Sequence, residues 1–396
     1  MKKVYLITNY FHFKMEKESN RYRELAEMLA KEKNLDLEVI TSAFYQRTKT
    51  FRTNQTELTK NLPYKVTLIQ EPGYNKNIGL KRLKTSKVFA KNTLKYIKSN
   101  PKPDLIYQVV PTLDVAFVVS KYAQKKSIPF IVDVQDLWPD AFKMALNIPV
   151  ISDILFAPYS ILARGIYKRA DAVCAVSKTY VQKVLRVNKK CREGHPVFIG
   201  INLERFDENA RRAIKKGDRL KLAYCGSLSE SYDIKLVIDA LALLNDPPLF
   251  VVMGDGNNKT VFENYAKEKG VEAVFTGYLP YEDMCAELCA CDITVNPIVG
   301  TSVATIINKH GDYAASGLPV INTQNSLEYC QLVESYGMGF NSTEGTAEDL
   351  AKKIKILTEN AELRAAMGAN ARKCAEEKFD RRKTYRELVE VIQSFV

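Results

Sequence analysis

The sequence predicts an α/β protein of two Rossmann-like doubly wound domains facing a central cleft, and three observations point that way. Short apolar runs alternate with helical patterns along most of the chain, the mark of parallel sheets covered by helices. The 396 residues exceed what one ordinary core holds, which argues for two domains. The alternation fails once, in GINLERFDENARRAIKKGDR from Gly200 to Arg219, a polar and charged stretch poor in strand formers. That stretch is the expected hinge.

KVYLIT, LEVITS, KVTLIQ, DLIYQVV, PFIVDV, DAVCAVS and VFIG read as strands of the first half. LKLAYCG, LFVVMGDG, AVFTG, DITVNP and PVINT read as strands of the second. SNRYRELAEMLAKE and DIKLVIDALALL carry helical spacing, and a helical tail runs from Ala347 to Val396 with a break at Phe379-Asp380. The expected domains are Rossmann-like units over 1–200 and 201–378, followed by a closing helix over 379–396. Ligands of such folds gather at the carboxyl ends of the strands.

Composition narrows the setting. A hydrophobic share of 46% and a charged share of 26% suit a soluble globular protein. The eight cysteines do not form the dense set of a secreted scaffold, so reduced thiols in a cytoplasm are expected. MKKVYLITNYF reads as a first strand and is too briefly apolar for a signal peptide. No run approaches the roughly 18 apolar residues of a spanning helix.

Charge divides the chain. Residues 1–200 hold 35 Lys+Arg against 17 Asp+Glu, a balance of +18, while residues 201–396 hold 23 against 29, a balance of −6. Between Lys76 and Lys98 there are eight basic residues and no acid. A helix there lines up Lys81, Lys84, Lys87, Lys91, Lys95 and Lys98 beside Leu83, Ala90, Leu94 and Ile97. Such a stripe can lie on an anionic membrane at about 1 kcal/mol per cation, or it can be the solvated side of a helix packed on the sheet. No nucleic-acid recognition motif accompanies it.

A dinucleotide fold would need G-x-G-x-x-G after the first strand, where this chain has TNYFHFKME without a glycine. The Met253-Gly254-Asp255-Gly256 turn alone is weak evidence. INKHGDYAASGLPVINT, from Ile307 to Thr323, is more informative. Lys309 and Asp312 share one helical face, and Gly317 and Pro319 end the helix before an apolar strand. Upstream, Gly300-Thr301-Ser302 suggests an N-terminus capped by Thr301 or Ser302, with a helix over 303–316 whose free N–H groups favour a diphosphate. Lys309 would then meet the phosphates and Asp312 the ribose. A surface ion pair explains the same spacing.

NKHGDYAASGLPVINT resembles the nucleotide-sugar signature of the family 4 retaining glycosyltransferases, in their capsule and O-antigen branch. VDVQDLWPDA, YKRADAVCAVSK, YCGSLSESYDIKLVIDAL, VVMGDG, FTGYLP and CDITVNP extend the resemblance, in family order, over nearly the whole chain. It implies a UDP-sugar donor on the second domain, near Gly226, Ser227, Gly254 and Gly256. Gly277, Tyr278 and Leu279 would border the base and Asp312 the ribose. Such enzymes have the GT-B fold, and the resemblance implies that the first domain (1–200) binds the acceptor, the second (201–378) the nucleotide-sugar, and that the closing helix returns to the first. The acceptor is expected to be a lipid-linked glycan, and the balance of +18 points to a peripheral place on the cytoplasmic face of the plasma membrane. The family's paired glutamates fall at Ala304 and Asp312, its arginine at Ser227, and its partner lysine is absent. Diphosphate neutralisation then falls on Lys309 and helix N–H groups.

Breaking a sugar–phosphate bond builds negative charge on the diphosphate, which preorganised cations offset. The chain contains no Asp-x-Asp, so neither a metal nor any other cofactor is expected. Retention resembles a front-face displacement in which the leaving phosphate takes the acceptor proton. Asp136, at a strand end, is the candidate to orient or deprotonate the acceptor hydroxyl, unless it is a turn aspartate. Asp133 and Asp140 read as structural. His12, His195 and His310 read as surface or loop residues, and Cys285, Cys289 and Cys291 as buried small residues rather than zinc ligands. The alternatives are a GT-B sugar-nucleotide epimerase, which needs no acceptor, and a basic scaffold for anionic glycans or nucleic acid.

Overall fold

The protein is seen in a computed structural model that describes residues 1–16, 21–53, 55–76, 79–139, 149–215, 217–299, 305–342 and 344–396. The chain forms two compact units, one of Met1–Phe198 with Thr384–Val396 and the other of Ile199–Lys383.

The first unit is built on a seven-stranded parallel sheet of β1 (Lys2–Ile7), β2 (Leu35–Ser42), β3 (Lys65–Ile69), β4 (Leu105–Val110), β5 (Phe130–Val134), β6 (Ala172–Ala175) and β7 (His195–Pro196). Their order is β3-β2-β1-β4-β5-β6-β7. β1 lies between β2 and β4, with Val4 opposite both Leu37 and Leu105. Val4 to Ile7 are fully buried, as expected of a central parallel strand covered on both faces. VFIG, expected to be the last strand, is not one. The ladder pairs His195 and Pro196 with Cys174 and Ala175, and Val197 adds a single N–H bond to the Ala175 carbonyl.

Inside this unit Arg21 is 3% exposed and faces Asp133 at 3.2 Å. It also donates to the carbonyls of Val197 and Phe198, and its guanidinium lies 5.0 Å from the Tyr385 ring centre. Asp133 accepts a further bond from the Tyr107 hydroxyl at 2.8 Å. Tyr385, Leu388 and Ile392 of the closing helix join the same core as Val4, Leu6 and Tyr22. The segment packed here is Thr384–Val396, which starts later than the 379 read from the sequence.

The helix Leu80–Ser99 buries Phe89, Ala90, Thr93 and Ile97 and leaves all six stripe lysines exposed. Of the apolar stripe, Ala90 and Ile97 are buried and Leu83 is exposed. No helix among the described residues is long and apolar enough to cross a membrane.

The second unit carries a six-stranded parallel sheet of β8 (Lys221–Cys225), β9 (Leu249–Met253), β10 (Ala273–Gly277), β11 (Ile293–Asn296), β12 (Val320–Asn322) and β13 (Gly339–Asn341). The order β10-β9-β8-β11-β12-β13 reverses direction between β8 and β11. That reversal is the switch point at which doubly wound sheets open a crevice. The edge strand β13, Gly-Phe-Asn, is too short to show an apolar run in the sequence.

Candidate active site

A cavity of about 510 Å³ lies at the carboxyl ends of the second sheet. Gly226 and Ser227 follow β8, Gly254 and Asp255 follow β9, and Tyr278 and Leu279 follow β10; all line it. Across from them, Ile307, Asn308, Lys309 and Asp312 enter from the helix Asn308–Ala315.

That helix is shorter than the 303–316 expected. Ile307 is extended at φ −114, ψ 164, and the carbonyl of Thr305 accepts bonds from Gln324 Nε2 at 3.2 Å and Ser326 Oγ at 3.4 Å. The β-branched run Thr305-Ile306-Ile307 is held out of the helix, which its side chains disfavour in any case. Lys309 is therefore in the first turn, not two to three turns along. Thr301 and Ser302, the expected caps, lie outside the described residues, as do Ala304 and Asp140.

The start of the helix is fastened by His310, which is fully buried and not the surface or loop histidine expected. Its Nδ1 accepts the Ile307 N–H at 3.3 Å, and its ring stacks on Tyr329 with centres 3.4 Å apart. Burial, with the neighbouring Lys309 charge, holds it well below the usual imidazole range and keeps it neutral.

Lys309 and Asp312 are each 9% exposed and form no ion pair with one another. The surface-pair reading of their spacing fails. Lys309 Nζ stands 4.3 Å from the ring centre of Tyr224 and 3.7 Å from that of Tyr232, and donates to Tyr224 Oη at 3.2 Å. Burial lowers its pKa to about 7, against the opposing pull of Cys225 and Asp312. Asp312 accepts from the Tyr281 hydroxyl at 2.9 Å. Burial pushes its carboxyl up to about 6, opposed by that bond and by Arg381 and Lys309. A buried cation on two aromatic faces, with no carboxylate in contact, can receive an anion.

The glycines serve this arrangement in different ways. Gly226 has φ 140, and a Cβ on it would sit 2.4 Å from Lys309 Nζ. Gly254 has φ 156, and its Cβ would meet the Gly226 carbonyl oxygen at 1.8 Å. Gly256 and Gly277 are not part of the cavity wall. Gly256 packs against the Leu228 backbone, and Gly277, at φ 74, bridges to Gly254 and turns the chain towards Tyr278.

Asp136 belongs to the first unit. Its Oδ2 accepts from Trp138 Nε1 at 3.0 Å, and burial raises its pKa above the ordinary carboxylate value. Cys285 and Cys291 are buried, and no group of metal-binding side chains occurs among the described residues. Sequence reasoning missed Tyr224, Tyr232 and Tyr281. Their aromatic positions beside strand ends and helix starts were the available signal.

Residues 206–374 match the family model described as glycosyl transferases group 1. The chain is 24% identical over 252 residues to an uncharacterized glycosyltransferase, MJ1069, of Methanocaldococcus jannaschii, covering 59% of this chain and 61% of that one. It is 28% identical over 217 residues to the putative teichuronic acid biosynthesis glycosyltransferase TuaC of Bacillus subtilis, covering 52% and 50%. The chain thus spans about half to three fifths of the length of these curated relatives. Anabaena Alr3699/HepE, solved in complex with UDP, superposes over 100% of both chains with a TM-score of 0.68 at 16% identity. The fold is GT-B, and the matches support a place in group 1 and do not favour the epimerase or scaffold readings.

Proposed function

We propose, from the match of residues 206–374 to the group 1 glycosyltransferase model and from the GT-B fold, that the protein is a retaining glycosyltransferase of family 4. It moves a sugar from a UDP-sugar to a lipid-linked oligosaccharide during synthesis of a capsule or O-antigen. The observation that carries this reading is Lys309, a buried cation at the switch-point cavity of the matched segment.

The diphosphate sits against the first turn of the helix Asn308–Ala315, where unpaired N–H groups and the ammonium of Lys309 meet its oxygens. As the sugar–phosphate bond breaks, charge grows on the phosphate and the ammonium opposes it. Asp312 accepts hydrogen bonds from the ribose, and Tyr278, 65% exposed, offers its ring to the base. Asp136 orients the acceptor hydroxyl. No metal enters the scheme, because the chain has no Asp-x-Asp to hold one. The related TuaC, named for teichuronic acid biosynthesis, supports a cell-surface glycan as product. The basic helix Leu80–Ser99 supports a peripheral place on the inner face of the plasma membrane.

A panel of UDP- and GDP-sugars tested by thermal shift, followed by mass spectrometry of a lipid-linked acceptor, checks the reading. A UDP-sugar should stabilise the protein and add one sugar mass to the acceptor. Stabilisation by no nucleotide would refute it.

A further inference from the structure

The first unit holds a cavity of its own, of about 390 Å³, which the donor chemistry does not use. It lies among the loops that follow β1, β3, β4 and β5, at the carboxyl ends where doubly wound sheets receive ligands. Two polar side chains of its wall are nearly buried and short of partners. Asn9, after β1, is 7% exposed, and its carboxamide oxygen has no hydrogen-bond partner among the described residues. Glu71, after β3, is also 7% exposed, and its one hydrogen-bond partner among them is Ser42, at the end of β2. Proteins rarely leave such groups unmet, so an unpaired amide oxygen and a half-paired carboxyl in one cavity point to a ligand.

The charge of the wall narrows its chemistry. Arg52, whose charge reaches Glu71, directs its N–H groups to Glu16 and to the carbonyls of Phe11 and Ser42. Ser42 Oγ has a single proton for two acceptors, Glu71 and the Phe44 carbonyl at 3.0 Å. A protonated Glu71 that donates to this oxygen meets both contacts. Burial supports that form by raising the Glu71 carboxyl to about 7, against the pull of Ser42 and Arg52. Asp114 accepts from Ser86, and Arg82 is engaged by Tyr10 Oη and by the rings of Tyr74 and Trp138. Arg82 thus brings no open edge for an anion, and the two carboxyl groups oppose one.

We propose that this cavity holds an uncharged sugar ring of the acceptor, with hydroxyls of that ring on Asn9 and Glu71. A hydroxyl both donates and accepts, so it answers the Asn9 oxygen and a carboxyl in either protonation state. Rotation of the Asn9 carboxamide presents its oxygen or its NH2 group to the ligand. Tyr74, Trp138 and Tyr159 add ring surface to the wall, against which the C–H face of a sugar packs. The volume is at the small end of ligand pockets and suits the end of a glycan. The inference rests on the glycosyltransferase reading above and names two residues that select its acceptor.

Trp138 is the only tryptophan of the chain and lies in the wall, so its emission reports occupancy. The full chain is titrated with the methyl β-glycosides of glucose, galactose, mannose and N-acetylglucosamine, and with methyl β-glucuronide as the anionic comparison. At least one neutral glycoside should change the emission saturably, and the glucuronide should bind more weakly than that glycoside. Asn9→Leu removes an amide whose oxygen bonds no protein group. It should weaken the best glycoside about tenfold and melt no lower than the wild type. Glu71→Leu should weaken it by a similar factor, and Glu71→Gln should recover most of the affinity because its amide still donates and accepts. No saturable response to any neutral glycoside, tighter binding of the glucuronide, or unchanged affinity in Asn9→Leu and Glu71→Leu would overturn the proposal. UDP thermal shift on the same samples separates the two readings. If UDP stabilises the protein but no glycoside binds, the sugar site falls and the donor site stands. If a glycoside binds and UDP does not stabilise, the donor reading falls instead.

Discussion

The ammonium of Lys309 lies 3.7 Å from the centre of the Tyr232 ring, while its one hydrogen bond among the described residues goes to the hydroxyl of a second tyrosine, Tyr224. The aromatic faces hold the cation without neutralising it, so a bound anion would be its first full counter-charge. Lys309→Ala should lower kcat/KM for the donor by about 10- to 100-fold, the worth of a charged hydrogen bond. Tyr232→Leu should cost less, on the order of threefold to tenfold, because the ammonium remains but loses its seat. Lys309→Arg should not rescue activity, since the larger fork meets Gly226 and the two rings. Steady-state kinetics with a UDP-sugar decide all three.

Two glycine variants should part company. In Gly226→Ala the new methyl collides with the ammonium of Lys309 at a φ of 140, so the donor KM should rise, with a smaller fall in melting temperature than at Gly254. In Gly254→Ala it collides with the Gly226 carbonyl, which cannot swing away as a side chain can. That strain of about 1–3 kcal/mol should lower the melting temperature by on the order of 5 °C. Equal melting temperatures for the two variants would remove this distinction.

Donor binding should fall as pH rises above about 7. Free Lys309 is held down to about 7 by burial, below its unfolded value, so the empty site loses its charge in the neutral range. A diphosphate favours the ammonium and raises that pKa in the complex. Between the two values, binding takes up a proton; below the lower one, Lys309 no longer changes the affinity. Calorimetry at pH 8 in two buffers of different ionisation enthalpy should show proton uptake in the wild type and none in Lys309→Met. Stability of the empty protein should follow the same linkage. The unfolded chain binds the Lys309 proton more tightly, so this group's contribution improves as pH rises from about 7 towards 10.5.

Asp312→Ala should weaken UDP binding and abolish the preference for UDP over 2′,3′-dideoxy-UDP, because the carboxylate that reads the ribose is gone. Tyr281→Phe keeps the ring but removes the 2.9 Å bond to Asp312 and should cost on the order of 1 kcal/mol in donor affinity. An unaltered preference in Asp312→Ala, measured by competition, would move the ribose elsewhere.

The wild-type protein should co-sediment with anionic liposomes and be released by salt. Replacing Lys81, Lys84, Lys87, Lys91, Lys95 and Lys98 with glutamine should abolish binding, at about 1 kcal/mol per lysine. All six are exposed, so the variant should melt near the wild-type temperature. Binding that persists in the variant would count against this face.

The sheets were legible because parallel strands are buried on both sides and read as continuous apolar runs: Val4 to Ile7 and Leu249 to Met253 need no partner to be recognised. The site was legible only in part. Lys309 and Asp312 stood out because charges beside small residues violate the apolar pattern. The tyrosines that hold Lys309 did not, because Tyr224 and Tyr232 meet it through the topology of the sheet rather than through spacing. His310 was misread for the same reason, since its partner Tyr329 arrives from the far side of β12. The helix start was misplaced because Thr305 is fixed by Gln324 and Ser326, contacts that no local propensity encodes. The Arg21–Asp133 pair joins residues more than a hundred positions apart and was equally hidden.

Tyr385, Leu388 and Ile392 fill the core around β1 although the whole second unit precedes them in the chain. During synthesis residues 1–198 leave the ribosome before the second unit, yet they lack part of their interior until the segment Thr384–Val396 has emerged. The unit encoded in between, Ile199–Lys383, carries no such debt and can close on itself earlier. A nascent chain stalled before Thr384 should therefore hold a protease-resistant second unit beside a first unit still open to digestion.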